Sequence, residues 1–284
     1  MLSKVRVADT VVQSCLTHAL TTEQEEVMGL LLGQISTTSS ASLFPEVGFN
    51  CKTNRDGFPC SDAAENVADV WDLWVVQRSV RRSDRVEIAP ERLADASEEA
   101  ERCTATVKTP TRVIGWYHSH PRITPYPSQV DLNSQLTYQS LESGWVGLIF
   151  SVFYKDPSEK SAVSIHCFQT GPDCSHKMVE VEVVPITQMP LRSLPNCDAT
   201  CQLLRVFQAE VEAAIELVKQ RCHEAPNAMK TAYALRDVQL FSLEKLVLQP
   251  ALRCLNISIS ELEKKVAKLE KAPASPVVND LWST

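Results

Sequence analysis

Short apolar runs limit most strongly what this chain can become: VMGLLLGQI at Val27–Ile35, RVIGWY at Arg112–Tyr117 and WVGLIFSVFY at Trp145–Tyr154. Each is the length of one strand, and a compact run without polar interruption is the pattern of a buried strand. The strongest of them, Trp145–Phe153, falls far short of the roughly 20 residues a helix needs to cross a bilayer. The first residues, MLSKVRVADTVVQSCLTHAL, alternate polar with apolar and lack the unbroken apolar core of a signal peptide. A soluble, intracellular protein with no membrane partner is expected.

Between these runs the period changes. Val12, Cys15, Leu16 and Leu20 recur at helical spacing and predict a helix from Asp9 to about Glu25. Pro90 stands where a first helical residue should, followed by ERLADASEEAERCTATV. The segment SQVDLNSQLTYQSLE, from Ser128, predicts another helix. Val67–Val76, AVSIHCFQT and the alternation Val179, Val181, Val183 add strands. Helices interspersed with mostly consecutive strands predict an α/β domain over residues 1–190, a mixed sheet flanked by helices. Residues 36–65, rich in Ser, Thr, Asn, Asp, Gly and Pro, read as a surface loop or insertion. Pro185, Pro190 and Pro195 mark a linker, residues 198–271 are helical, and 272–284 are expected to be a disordered tail.

Composition excludes one class of partner. Lys and Arg total 28 against 35 Asp and Glu, a formal charge of -7 that offers nothing to a phosphate backbone, so no direct nucleic-acid contact is expected. Ten cysteines, among them Cys15, Cys103, Cys167, Cys222 and Cys254 in apolar segments, read as reduced, buried thiols. Cys174, His176, Cys197 and Cys201 admit a second metal site, but no C-x-x-C pair is present and the Cys197–Cys201 spacing suits a helical turn equally well.

The chemistry concentrates after the strand RVIGWY. His118 and His120 sit two apart at a strand end, so both imidazoles point to one face and can meet on one ion. Asp131, in the first turn of the helix from Ser128, can be folded back by the loop PRITPYPSQV as a third ligand. Two nitrogens and one oxygen leave a fourth position open, the pattern of catalytic zinc. Each fragment also has a plainer reading: Ser128 with Asp131 spells a capping box, a His pair at a strand end is more often a surface pair or a hydrogen-bonded pair, and Glu26 is one of an acidic run with Glu23 and Glu25.

Taken together, G-W-Y-H-S-H-P, P-S-x-x-D and a Glu just before M-G-L-L-L-G resemble the JAMM (MPN-plus) zinc metalloprotease family, whose pattern E…H-x-H-x₇-S-x-x-D is filled at every position. The similarity extends over about Val5–Pro185. The segments E-E-V-M-G-L, R-V-E-I-x-P-E-x-L, E-A-E-R and H-P-x-I-T-x-x-P-S are similar to the branch that cuts lysine-63-linked polyubiquitin within BRISC and Abraxas-containing complexes; residues 36–65 depart from it. The resemblance implies an MPN fold, one zinc held by His118, His120 and Asp131, Glu26 as general base, and Ser128 as a donor to the oxyanion. It also implies polyubiquitin as substrate, an MPN-fold Abraxas-type pseudoenzyme as partner, a dimer of heterodimers, and a cytoplasmic and nuclear location.

Val238, Phe241, Lys245, Leu248, Leu252, Leu255, Ile259, Leu262, Val266 and Leu269 alternate spacings of three and four, a coiled-coil seam in the C-terminal appendage. Pro250 is expected to kink that helix or divide it in two. The seam fits a partner helix; its first half fits equally well against the chain's own α/β domain or its helix of Leu203, Phe207, Val211, Ile215 and Val218. A catalytically inactive MPN scaffold would be expected to have lost at least one of the ligands His118, His120 and Asp131 or Glu26, and none is lost. A hydrolase or deaminase of small substrates has less use for such an appendage.

Overall fold

The apolar runs become strands of one mixed sheet in the computed structural model, which describes residues 1–38, 65–76, 90–155, 161–193, 198–221, 226–245 and 249–271. The strands are β1 (Lys4–Ala8), β2 (Met28–Thr38), β3 (Glu65–Val75), β4 (Arg112–Pro121), β5 (Val146–Lys155), β6 (Ser161–Thr170) and β7 (His176–Val184). Their order is β1-β3-β2-β4-β5-β6-β7, closed into a barrel because β1 pairs in parallel with both β3 and β7. The pair β4–β5 is also parallel and the others are antiparallel, so the mixed sheet is as the α/β reading expects. Closure is the addition. It rests on β1, whose Val5 and Val7 are fully buried between the outward Lys4 and Arg6.

The helices are α1 (Asp9–Ala19), α2 (Pro90–Val107), α3 (Gln129–Leu141), α4 (Asp198–Arg221), α5 (Pro226–Leu243) and α6 (Gln249–Lys271). The first stops short of Glu25 because Thr21 closes its last turn, giving both its N–H and its hydroxyl to the His18 carbonyl. That releases the run Glu23–Glu26 as a loop into β2. The stretch expected as a loop is also shorter at both ends, since Ser36, Thr37 and Thr38 pair with Val67, Asn66 and Glu65. Residues 39–64, the charged segment RSVRRSDR and the tail 272–284 lie outside the described residues. Pro250 divides two helices: it falls in the first turn of α6, where its missing N–H costs nothing.

The chain divides into two compact units, Met1–Glu210 and Val211–Thr284. The first has a core on each face of the sheet, as the period of two demands. Val7, Leu31, Val70, Tyr117, Leu148 and Phe150 pack with α1 and the start of α4 on one face. On the other, Leu30, Trp116, Ile149 and Phe168 pack with Ala96 of α2 and Leu132 of α3. In the second unit Val238, Phe241, Leu252, Ile259, Leu262 and Val266 are all exposed. No helix among the described residues is long and apolar enough to cross a membrane.

At Leu32–Gly33 the pairing of β2 with β3 slips by one residue, and a Cβ on Gly33 would stand 1.9 Å from the Asp69 carbonyl oxygen. The obstacle is backbone, so it cannot swing aside. Gly33→Ala is therefore expected to lower the unfolding free energy by at least the roughly 1–3 kcal/mol of ordinary overpacking, read by urea denaturation. An unchanged midpoint would show that the two strands are not this close.

Candidate metal centre

Strand β4 is the element from which the site is built. It lies between β2, antiparallel, and β5, parallel, with Met28 opposite His118 on one side and Ile149 opposite it on the other. His118 and His120 emerge near its C-terminal end, on the face that carries Trp116, and both are buried. The chain then turns at Arg122, which adopts the left-handed conformation (φ 61°) and bonds its N–H to the Val152 carbonyl. From there the loop runs to Ser128, the N-cap of α3.

At that cap the backbone and side chains exchange two hydrogen bonds. Asp131 N–H donates to Ser128 Oγ at 3.2 Å, and Ser128 N–H donates to Asp131 Oδ2 at 2.7 Å, the capping box read in the sequence. The box fixes the carboxylate with its oxygens toward the imidazoles. His118 Nε2 is 3.5 Å from Asp131 Oδ1, His120 Nε2 is 3.6 Å from Oδ2, and the two Nε2 atoms are 3.0 Å apart. Metal–ligand bonds of about 2.0–2.1 Å in a tetrahedron place neighbouring donors about 3.3 Å apart, so these three residues are spaced to share one ion. No other group of three or more such ligands occurs among the described residues. Cys174 and His176 are exposed; Cys197 and the Cys201 side chain lie outside the described residues.

Electrostatics agree with the spacing. Burial alone would raise the Asp131 pKa, but hydrogen bonding to His118 and His120, the charge of His118 and hydrogen bonding to Ser128 hold it well below the usual carboxylate range. For His120 burial works downward; hydrogen bonds to Asp131 and to the Thr124 carbonyl, with the charges of Glu26 and Asp131, outweigh it and raise the imidazole. His120 Nδ1 lies 2.7 Å from the Thr124 oxygen and must carry the proton there, which turns a bare Nε2 toward the centre. A further imidazole, His166 on β6, has its pKa lowered by burial and then by the charge of His120.

Glu26 reaches the site through its neighbour. Val27 N–H donates to Ser119 Oγ at 3.0 Å, and Ser119 N–H donates to the Val27 carbonyl at 2.9 Å. The half-buried Glu26 is thereby held beside the strand segment that carries both histidines. The loop before it is pinned again where Arg122 Nη2 meets Glu23 Oε2 at 2.5 Å. All five residues singled out in the sequence, Glu26, His118, His120, Ser128 and Asp131, thus belong to one neighbourhood. Ser119 and Thr124 were not singled out. The only trace of Ser119 is its place between the histidines of H-S-H-P, and the Thr124 contact is through backbone, which no side-chain pattern reveals.

The chain matches the model of the family described as JAB1/Mov34/MPN/PAD-1 ubiquitin protease over residues 1–144. It is 37% identical over 223 residues to Lys-63-specific deubiquitinase BRCC36 of Mus musculus, covering 78% of this chain and 71% of that protein. The protein of the same name from Homo sapiens is 35% identical over 243 residues, covering 78% and 73%. That from Xenopus tropicalis is 34% identical over 222 residues, covering 78% and 70%.

Removing the Ser119 hydroxyl leaves the buried Val27 N–H without an acceptor, a loss of about 1–3 kcal/mol. Ser119→Ala is expected to unfold at correspondingly lower urea, and hydrogen exchange at Val27 should accelerate. Wild-type protection at Val27 would show that the hydroxyl does not hold this segment.

Proposed function

This chain belongs to the JAB1/Mov34/MPN/PAD-1 ubiquitin protease family, and on that premise we propose that it is a zinc-dependent isopeptidase that hydrolyses polyubiquitin joined through lysine 63. The observation that carries the chemistry is the convergence of His118, His120 and Asp131 donor atoms in one buried cluster. The names of its relatives support the linkage preference. One zinc per chain is the ion this donor set suits: two neutral imidazoles and one carboxylate, with a position left for water. Zinc bound there would supply Lewis acidity, bringing the pKa of water down towards neutrality and polarising the scissile carbonyl.

The chain's own groups do the rest. Glu26 takes the proton of the attacking water and passes it to the departing lysine amine, so that the amide C–N bond gives way to a carboxylate and a free amine. Ser128 Oγ accepts the Asp131 N–H, and its own proton remains to donate to the oxyanion that forms on the scissile carbonyl. One such donor is worth about 10²–10³ in rate. His120 is fixed by the Thr124 carbonyl and Asp131 by the Ser128 N–H, so neither ligand needs to reorganise when substrate arrives. No step requires a thiol, in keeping with burial that drives Cys15, Cys103 and Cys167 away from the thiolate form.

The exposed stripe on α5 and α6 supports assembly. Val238 is 60% exposed, Leu262 55% and Val266 52%, more apolar surface in a row than a helix keeps without a partner. The partner is an MPN-fold pseudoenzyme of the Abraxas type joined through these helices, and two such heterodimers associate. The enzyme acts in both cytoplasm and nucleus.

Glu26→Gln is expected to keep its zinc and fold while cleavage of lysine-63-linked di-ubiquitin falls by about 10²–10⁴; normal turnover would remove Glu26 from the role of base. Leu262→Asp combined with Val266→Asp should leave zinc content unchanged and abolish co-purification with the MPN-fold partner. Recovery of the intact complex from that variant would place the contact elsewhere.

A further inference from the structure

The two histidines of the cluster are held by different devices. A ligating histidine almost always gives its second ring nitrogen to an oxygen, which sets the tilt of the ring. His120 does so, to the Thr124 carbonyl at 2.7 Å. His118 does not: its Nδ1 is buried and has no hydrogen-bond partner among the described residues. What holds this ring instead is a plane. The Trp116 indole, two residues earlier on the same face of β4, stacks on the imidazole with centroids 4.5 Å apart and planes 18° apart, while Phe168 meets it edge-on at 6.5 Å.

The indole is held in turn. Trp116 Nε1–H donates to Gln135 Oε1 at 2.7 Å, and Gln135, fully buried on α3, donates from Nε2 to the Trp145 carbonyl at 2.8 Å and to Gln139 Oε1 at 2.9 Å. Gln139 is tied to Thr170 of β6 by two further bonds, N–H to Oε1 at 2.8 Å and Nε2 to the carbonyl at 3.0 Å. Gln135 stands one helical turn after Asp131, so a single amide joins the helix that presents the carboxylate to the strand that presents the imidazoles.

We infer that Gln135 is a positioning residue for the metal centre: through the Trp116 indole it sets the plane of His118, replacing the hydrogen bond that this ligand lacks. The inference rests on the reading of His118, His120 and Asp131 as a metal site. It makes the site's affinity depend on an uncharged side chain that touches neither metal nor substrate. Outer partners of metal ligands are commonly worth about 10–100-fold in affinity.

The test uses the full chain and cobalt(II) as the probe, with affinity read by chelator competition and ligand geometry by the visible d–d absorption. Gln135→Met, which keeps length and removes both polar ends, is expected to weaken cobalt binding at least about tenfold and to alter the d–d band. Gln135→Glu retains an acceptor for the indole N–H and should lie between Met and wild type. Trp116→Phe keeps a stacked ring but breaks the bond to Gln135, and should shift the spectrum as Gln135→Met does. The double variant should then lose little more than either single one. If Gln135→Met does not fold, Gln135→Glu and Trp116→Phe carry the same comparison. Wild-type affinity and spectrum in these variants, with only the thermal midpoint lowered, would reduce Gln135 to a packing role and overturn the inference. Additive losses in the double variant would overturn the route through Trp116. A wild-type chain that takes up no cobalt would instead overturn the metal-site reading, and this inference with it.

Discussion

Asp131 is engaged by the backbone before it is available to anything else. Its Oδ2 accepts the Ser128 N–H at 2.7 Å while its own N–H is accepted by Ser128 Oγ, so the first turn of α3 cannot form without aiming that carboxylate at the end of β4. A capping residue at this position contributes about 1 kcal/mol to the helix. The same geometry brings the negative charge within 3.5 and 3.6 Å of the two imidazoles. The two readings of S-x-x-D, a helix start and a ligand, are compatible in the sequence and describe one arrangement in space. The cost of burying a carboxylate is offset by the same hydrogen bonds and charges that hold its pKa down.

The central strands were legible because they are buried on both faces and therefore apolar over most of their length. β2, β4 and β5 announce themselves as VMGLLLGQI, RVIGWY and WVGLIFSVFY, and α2 and α3 carry Pro90 and Ser128 at their starts. β1 was illegible for the opposite reason. Five residues of K-V-R-V-A alternate too briefly to stand out, yet their pairing with both β3 and β7 closes the barrel. Closure depends on contacts between residues far apart in the chain, such as Val5 with Val181, and no local pattern carries such information. The slip at Leu32–Gly33 is similar: Gly33 shows in the sequence, but not the Asp69 carbonyl it must clear.

The site was legible in its donors and hidden in its supports. Imidazole and carboxylate side chains can be picked out by type and spacing, which is how His118, His120 and Asp131 emerge from the sequence. Ser119, the Thr124 carbonyl, Trp116 and Gln135 are ordinary residues whose importance lies in what they face. Glu26 shows this most clearly. By composition alone it is indistinguishable from Glu23 and Glu25; its place before M-G-L-L-L-G in the family pattern singles it out, and the exchange of two hydrogen bonds between Val27 and Ser119 brings it to the histidines. Glu23, by contrast, is spent on Arg122.

On the function proposed above, His118, His120 and Asp131 would hold one zinc, and the ten cysteines supply the rival ligands for that ion. X-ray absorption at the zinc edge separates the two, because nitrogen and oxygen ligands lie at about 2.0–2.1 Å and thiolate sulfur at about 2.3 Å. The measurement belongs on the 284-residue chain carrying stoichiometric zinc. Nitrogen and oxygen ligands alone are expected, with the outer scattering of two imidazoles, and the ion should be lost when His118 and His120 are replaced together by alanine. A ligand set containing sulfur, or zinc retained in full by the doubly substituted chain, would contradict that assignment.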